Sequence, residues 1–131
     1  MTSDTQPAPV SKGILWTGRV LSTLAVLMMA SGAIMKLMKP EFQIEGMEKL
    51  GWPERYAVVL GILELTCTLI YAIPRTSVLG AVLLTGYLGG AIATHLRVGD
   101  PVFGPLIPAA FIWAGLYLRE PRLRTLLPLR S

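Results

Sequence analysis

The stretch VLGAVLLTGYLGGAIAT, Val78 to Thr94, carries no charged residue and no polar face. A helix of a soluble bundle needs a broad polar stripe toward water. Hydrocarbon instead admits segments whose backbone groups bond internally, as a helix does. Val78–Thr94 therefore reads as a membrane span. Val20–Met35, Tyr56–Ile73 and Val102–Leu118 read the same way. Each is near the lower limit for crossing a bilayer, and a turn taken from the flanks brings each to about 20 residues.

The expected fold is all-α: an integral membrane antiparallel four-helix bundle, with a short interfacial helix in the first loop. Spans are expected at about 17–37, 54–73, 77–96 and 102–119, within a membrane domain covering 14–119. Residues 1–13 are polar and proline-containing, which predicts a disordered tail. Residues 120–131 mix arginine with leucine and predict a basic tail on the membrane surface. Lys12 and Arg19 precede an apolar run, and Ala30-Ser31-Gly32 loosely resembles a cleavage site. The run continues through Ala33, Ile34 and Met35, so an uncleaved span is expected.

Composition agrees. Apolar residues make up 53% and charged residues 15%, against about 25% charged in soluble domains. Mean hydropathy is +0.57. The net charge of +4 is spread over tails and loops with no basic stripe interleaved with aromatics, which argues against nucleic acid. Cys67 is the sole cysteine, so an intrachain disulfide, a CxxC motif and a thiolate metal site are excluded. His95 is the sole histidine, and one imidazole builds neither a metal site nor bis-His haem ligation.

With four spans both termini share a side. Lys12, Arg19, Arg75, Arg119, Arg122, Arg124 and Arg130 lie there, against Lys36, Lys39, Lys49, Arg55 and Arg97 opposite. The positive-inside rule then puts both termini in the cytoplasm. The loop KPEFQIEGMEKLGWPER, Lys39 to Arg55, faces outward. Its Phe42, Ile44, Met47 and Leu50 recur at roughly helical spacing, as in a helix lying on the bilayer. Gly51 would end it. Trp52 is placed as an interface anchor. Pro74-Arg75-Thr76-Ser77 is a tight helical hairpin.

Membrane helices pack through small residues and turn polar groups toward one another. Helical spacing groups Ser22, Ala25, Met29, Gly32 and Lys36 on the first span. It groups Ala57, Gly61, Glu64, Thr68 and Tyr71 on the second, and Gly80, Leu83, Tyr87, Gly90 and Thr94 on the third. On the fourth, Leu106, Ala110, Trp113 and Tyr117 align. Gly32, Gly61, Gly86, Gly89 and Gly90 are the expected helix-packing glycines. The GYLGG cluster lacks the strand context of a phosphate loop. The small-xxx-small pairs also permit a homo-oligomer.

Glu64 stands alone in the apolar run GILELTCTLIYAIP, Gly61 to Pro74. A carboxylate in hydrocarbon must be protonated, paired or hydrated, and such residues face a bundle interior or cavity. Lys36, at the outer end of the first span, either snorkels to the headgroups or reaches down to Glu64. His95 and Arg97 close the third span on the same side. Lys36, Glu64, Tyr87, His95, Arg97 and Trp113 are the ligand-binding candidates, with Glu64 and His95 protonatable, Lys36 and Arg97 as charge partners, and Tyr87 and Trp113 as walls. No residue is assigned a catalytic role, and the sequence does not decide whether the protein is an enzyme.

The motifs SGAIMKL, LGWPE, LGILEL, AIPR and LGAVLLTGYLGGAIATHLRVGDP together resemble the DoxX-like family of small bacterial membrane proteins. The resemblance covers about residues 20 to 118 and falls on Lys36, Gly51, Pro53, Glu64, Pro74, Gly80, Gly89, Gly90, His95 and Arg97. It implies four spans in a bacterial inner membrane. It also implies a link, through wider relatives, to quinone-coupled or redox-defence systems. The expected activity is binding of a small molecule, with a quinone the candidate ligand, as a component of a membrane redox or detoxification system. No intrinsic cofactor is expected; a redox role would be borrowed from the quinone or a redox partner protein. The alternatives are a non-enzymatic assembly protein whose polar residues lock the helices, and a small oligomeric transporter.

Overall fold

The computed structural model describes residues 11–127. Residues 1–10 of the expected amino-terminal tail and 128–131 of the carboxyl tail, Arg130 included, lie outside them. Every regular element among the described residues is helical. α1 runs Lys12–Met38, α2 Glu41–Lys49, α3 Ala57–Ala72, α4 Ser77–Arg97 and α5 Phe103–Arg119. Single 3₁₀ turns, Glu54–Tyr56 and Pro74–Thr76, lead into α3 and α4, and Pro121–Thr125 follows α5.

The ends follow from local chemistry. Ser11 caps α1 by accepting from the Ile14 N–H at 3.3 Å. Lys12 and Gly13 thus belong to α1, which starts ahead of the span expected from residue 17. Lys39 closes α1 in the left-handed region, φ 55, and Pro40 begins the next turn. Gly51, at φ 90, ends the α2 segment as its position predicts. After α5 the chain folds back rather than trailing. Arg124 donates to the Tyr117 and Leu118 carbonyls at 3.3 and 2.9 Å, and Leu123 is buried. These bonds satisfy carbonyls that a helix C-terminus leaves open.

α1 packs on α3 and α5, α3 on α4, and α4 on α5, so four helices close a ring. Contacts between α1 and α3, and between α3 and α4, run in opposite sequence order. Gly61 lies on Ala33 and Tyr71 on Ser22. Tyr87 meets Glu64 while Gly80 meets Tyr71. The core between them holds Ala25, Met29, Tyr71, Leu84, Ile112 and Leu116. Outward, large apolar side chains stand exposed along every helix of the ring, among them Leu27, Leu69, Val82 and Ile107. A contiguous apolar exterior is what lipid requires and water penalises.

Three helical segments are long and apolar enough to cross a membrane: Lys12–Met38, Glu54–Ala72 and Pro74–Arg97. The fourth, Phe103–Arg119, is equally apolar but only 17 residues long.

The inward stripes of α1 and α3 are those read from spacing. α4 and α5 are turned from theirs. α4 buries Ser77, Gly80, Ala81, Leu84 and Leu88, leaving Leu83 exposed. α5 buries Pro105, Pro108, Ile112, Gly115 and Leu116, leaving Leu106 and Ala110 exposed. The expected stripes ran through polar-tipped aromatics, and those sit at the flanks of the buried face. Tyr87 reaches sideways to Glu64, and Trp113 donates to Thr85 at 2.7 Å. The centre of each face goes to small and aliphatic residues that let backbones approach.

Candidate ligand-binding site

Glu64 sits midway along α3 on its buried face, 4% exposed. Lys36 donates to its Oε1 at 2.8 Å and the Tyr87 hydroxyl donates to the same oxygen at 2.9 Å. One carboxylate oxygen thus joins α1, α3 and α4. The Lys36 stem does project back along α1 toward Glu64, the second of its two expected courses. The pair brings no net charge into the apolar interior.

Oε2 takes no hydrogen bond from the described residues. It lies over Gly32, where an added Cβ would approach within 2.8 Å. Gly32 therefore makes room for the carboxylate itself. Gly61 packs against Ala33 and Leu37, with an added Cβ meeting them at 3.0 Å. Both glycines lie at close contacts between helices.

Beside Glu64 lies a cavity of about 850 Å³. Ligand pockets run from about 300 to 1,000 Å³. α1 contributes Met29, Gly32 and Lys36 to its wall, α3 contributes Leu60, Leu63 and Glu64, and α4 contributes Gly86, Tyr87, Gly90 and His95. Pro105 and Pro108 of α5 complete the side, and Phe42, Gln43 and Met47 of α2 cover the outer end. Pro108 has no N–H, so the Gly104 carbonyl one turn earlier loses its ordinary helical donor beside the cavity. The His95 Nδ1 donates to the Ala91 carbonyl at 2.7 Å. In the neutral ring that leaves Nε2 as an acceptor. The wall is thus largely apolar, with a few acceptors, the Lys36 ammonium, and the Lys49–Asp100 ion pair.

The structure brings Lys36, Glu64, Tyr87 and His95 to one cavity and separates the other two candidates. Arg97 donates to the Leu50 carbonyl at 2.7 Å and lines a neighbouring pocket of about 320 Å³ with Gly51 and Trp52. At the last turn of α4 it faces the α2–α3 connection, where an open backbone carbonyl is its nearest acceptor. Trp113 bonds Thr85 and packs on the core, outside the cavity wall. Gly86, Gly89 and Gly90 are not packing contacts either: a Cβ at any of them meets nothing within 4 Å. Gly86 and Gly90 instead line the cavity. No group of side chains among the described residues could hold a metal ion.

A second polar cluster escaped the sequence reading. Arg119 donates from Nε to Ser22 at 2.9 Å and from Nη2 to Ser77 at 3.2 Å, with its guanidinium over the Tyr71 ring. The Tyr71 hydroxyl donates to the Ile112 carbonyl at 2.8 Å and lies 3.0 Å from Ser22 Oγ. Ser22 and Tyr71 were legible as inward-facing. Arg119 was legible only as a topology charge, because position at a helix end predicts snorkelling rather than insertion.

A family model described as the DoxX-like family matches residues 20–117. The match spans every helix of the ring and all four cavity candidates. No curated protein and no solved structure matches the chain.

Proposed function

The chain belongs to the DoxX-like family and is a membrane protein, and from that premise we propose that it binds a small amphipathic molecule in the cavity at Glu64. The four ring helices cross the cell inner membrane as an antiparallel bundle, both termini cytoplasmic, with α2 at the outer interface. The protein serves as a component of a membrane redox or detoxification system, and a quinone is the candidate ligand, delivered to or from a redox partner protein.

One observation carries this. A single buried carboxylate has one oxygen committed to Lys36 and Tyr87 and the other unbonded, beside a ligand-sized cavity. A carboxylate serving only to clasp helices gains nothing from a free oxygen and adjacent space. No fully enclosed polar side-chain atom among the described residues lacks a partner, so the unbonded Oε2 is one that open space reaches. The Lys36–Glu64 pair at 2.8 Å favours the second reading, a structural clasp between α1 and α3.

Binding of a short-chain ubiquinol, the reduced form whose phenolic hydroxyl can donate to the open oxygen, to detergent-purified protein under reductant, by equilibrium dialysis, separates the two. Glu64→Gln keeps an oxygen for Lys36 and Tyr87 but turns the free acceptor into an amide. On the binding reading, affinity falls by about 10-fold or more while helicity and monodispersity are kept. Unfolding of the variant, or unchanged affinity, favours the clasp. Mass spectrometry of molecules copurifying with the wild type identifies the native occupant.

A further inference from the structure

α3 and α4 touch at Gly80, and further along both border the Glu64 cavity. A Cβ at Gly80 would overlap the backbone of Tyr71 on α3. Gly86 and Gly90 lie further along the same helix, and a Cβ at either meets nothing. Between them in sequence, Tyr87 reaches across to Glu64 on α3 at 2.9 Å. Gly86 and Gly90 are four residues apart and stack on one flank of α4. Leu63, 48% exposed, stands on α3 on the other side of the same cavity.

The depth of these residues decides what they face. Gly86 is nine residues from Ser77 and eleven from Arg97, about 13 and 16 Å along the axis. An opening there meets acyl chains, not water or headgroups.

We propose that the flanks of α3 and α4 where Leu63, Gly86 and Gly90 are at once exposed and part of the cavity wall form a lateral slot from the lipid core into the Glu64 cavity. Its occupant is a single-chain, lipid-borne amphipath with a hydroxyl head. The chain lies in the slot across Gly86 and Gly90 against Leu63. The head enters the cavity and donates a hydrogen bond to Glu64 Oε2, the acceptor that the protein leaves open. This inference rests on the binding role proposed above and adds the class of ligand and its route. A water-soluble solute would have no use for a gap at mid-bilayer depth. Gly86 and Gly90 are thereby assigned as slot residues, a role that needs the absence of a side chain as much as packing would.

The test uses full-length protein in phosphatidylcholine nanodiscs and 1-dodecanol bearing a mid-chain diazirine. Saturable photo-adducts are expected on peptides containing Leu63 and Gly86 to Gly90, displaced by unmodified 1-dodecanol. Filling the slot with Gly86→Leu and Gly90→Leu should lower saturable labelling by about 10-fold. Gly89→Leu, on equally open ground but off the cavity wall, should leave it unchanged. Gly90→Cys, folded first and then alkylated with N-cyclohexylmaleimide, blocks the slot without a folding requirement and should act as the double change does. Wild-type labelling in the filled or alkylated protein, or adducts confined to other helices, overturns the slot. Glu64→Gln separates the two proposals. Retained slot labelling in that variant removes Glu64 as the head's partner and leaves the slot standing. Lost labelling there, with none lost on filling, removes the slot and leaves the site at Glu64.

Discussion

The ring of helices holds one polar cluster at the Arg119 end and another midway along, at Glu64, and the two are built to opposite plans. At the Arg119 end the backbones touch. A Cβ on Gly18 would come within 2.8 Å of the Gly115 carbonyl, one on Gly115 within 2.7 Å of the Ser22 nitrogen, and Gly80 has no room at all. Arg119, Ser22, Ser77 and Tyr71 bond one another and nearby carbonyls in that space. Around Glu64 the carboxylate is buried and takes two hydrogen bonds on one oxygen. There, however, the second oxygen is open, and Gly86 and Gly90 border empty volume. Polar residues inside a membrane protein thus do not distinguish a clasp from a site. The space left around them does.

The comparison breaks most sharply on size. Gly80→Leu should prevent folding, since the side chain would have to displace the Tyr71 backbone, and overpacking costs about 1–3 kcal/mol even where neighbours can shift. Gly86→Leu, on the same helix, should fold and melt within a few degrees of the wild type. Circular dichroism melts and size-exclusion profiles in detergent measure both. Equal damage from the two changes would erase the distinction between the two regions.

Charge gives the next largest effect. Glu64→Leu alone leaves the Lys36 ammonium without its partner and should cost about 3 kcal/mol. Lys36→Leu combined with it should recover most of that loss, because removing both members of a buried pair is often nearly neutral. A double-mutant cycle from denaturant unfolding in micelles reads the coupling directly. A coupling near zero would mean that the pair contributes no stability.

Hydroxyl deletions sharpen the contrast with the smallest effect. Tyr71→Phe strands a buried carbonyl in a closed cluster and should cost about 1–2 kcal/mol. Tyr87→Phe leaves Glu64 its Lys36 contact and adjoining space, and should cost no more than about 1 kcal/mol. It should weaken ligand binding instead. Parallel melts and binding isotherms on the two variants test that exchange of roles.

Much was legible from residue order. The four apolar helices, the α2 segment ended by Gly51, and the inward faces of α1 and α3 all follow from spacing. Hydropathy and helical period are properties of one segment at a time. Glu64 could be turned inward on that basis, and Lys36 named as its partner by reach. The two faces misjudged, on α4 and α5, were those where aromatic residues with polar tips set the reading, and such residues occupy flanks. Arg97 was grouped with Glu64 because it closes its span on the same side, and Trp113 because spacing put it on the expected inward stripe of its helix. Their actual partners, the Leu50 carbonyl and the Thr85 hydroxyl, depend on which flanks meet.

The sequence by itself determined an all-helical membrane protein of the DoxX-like family with a carboxylate turned to its interior. Only the tertiary structure decided that one oxygen of that carboxylate is bound and the other open. It alone divided the glycines into those that join helices and those that border a cavity. The physical reason is that a glycine reads the same in either role. Whether it marks contact or emptiness is set by the separation of two helices, and that separation follows from how side chains on every neighbouring helix interlock.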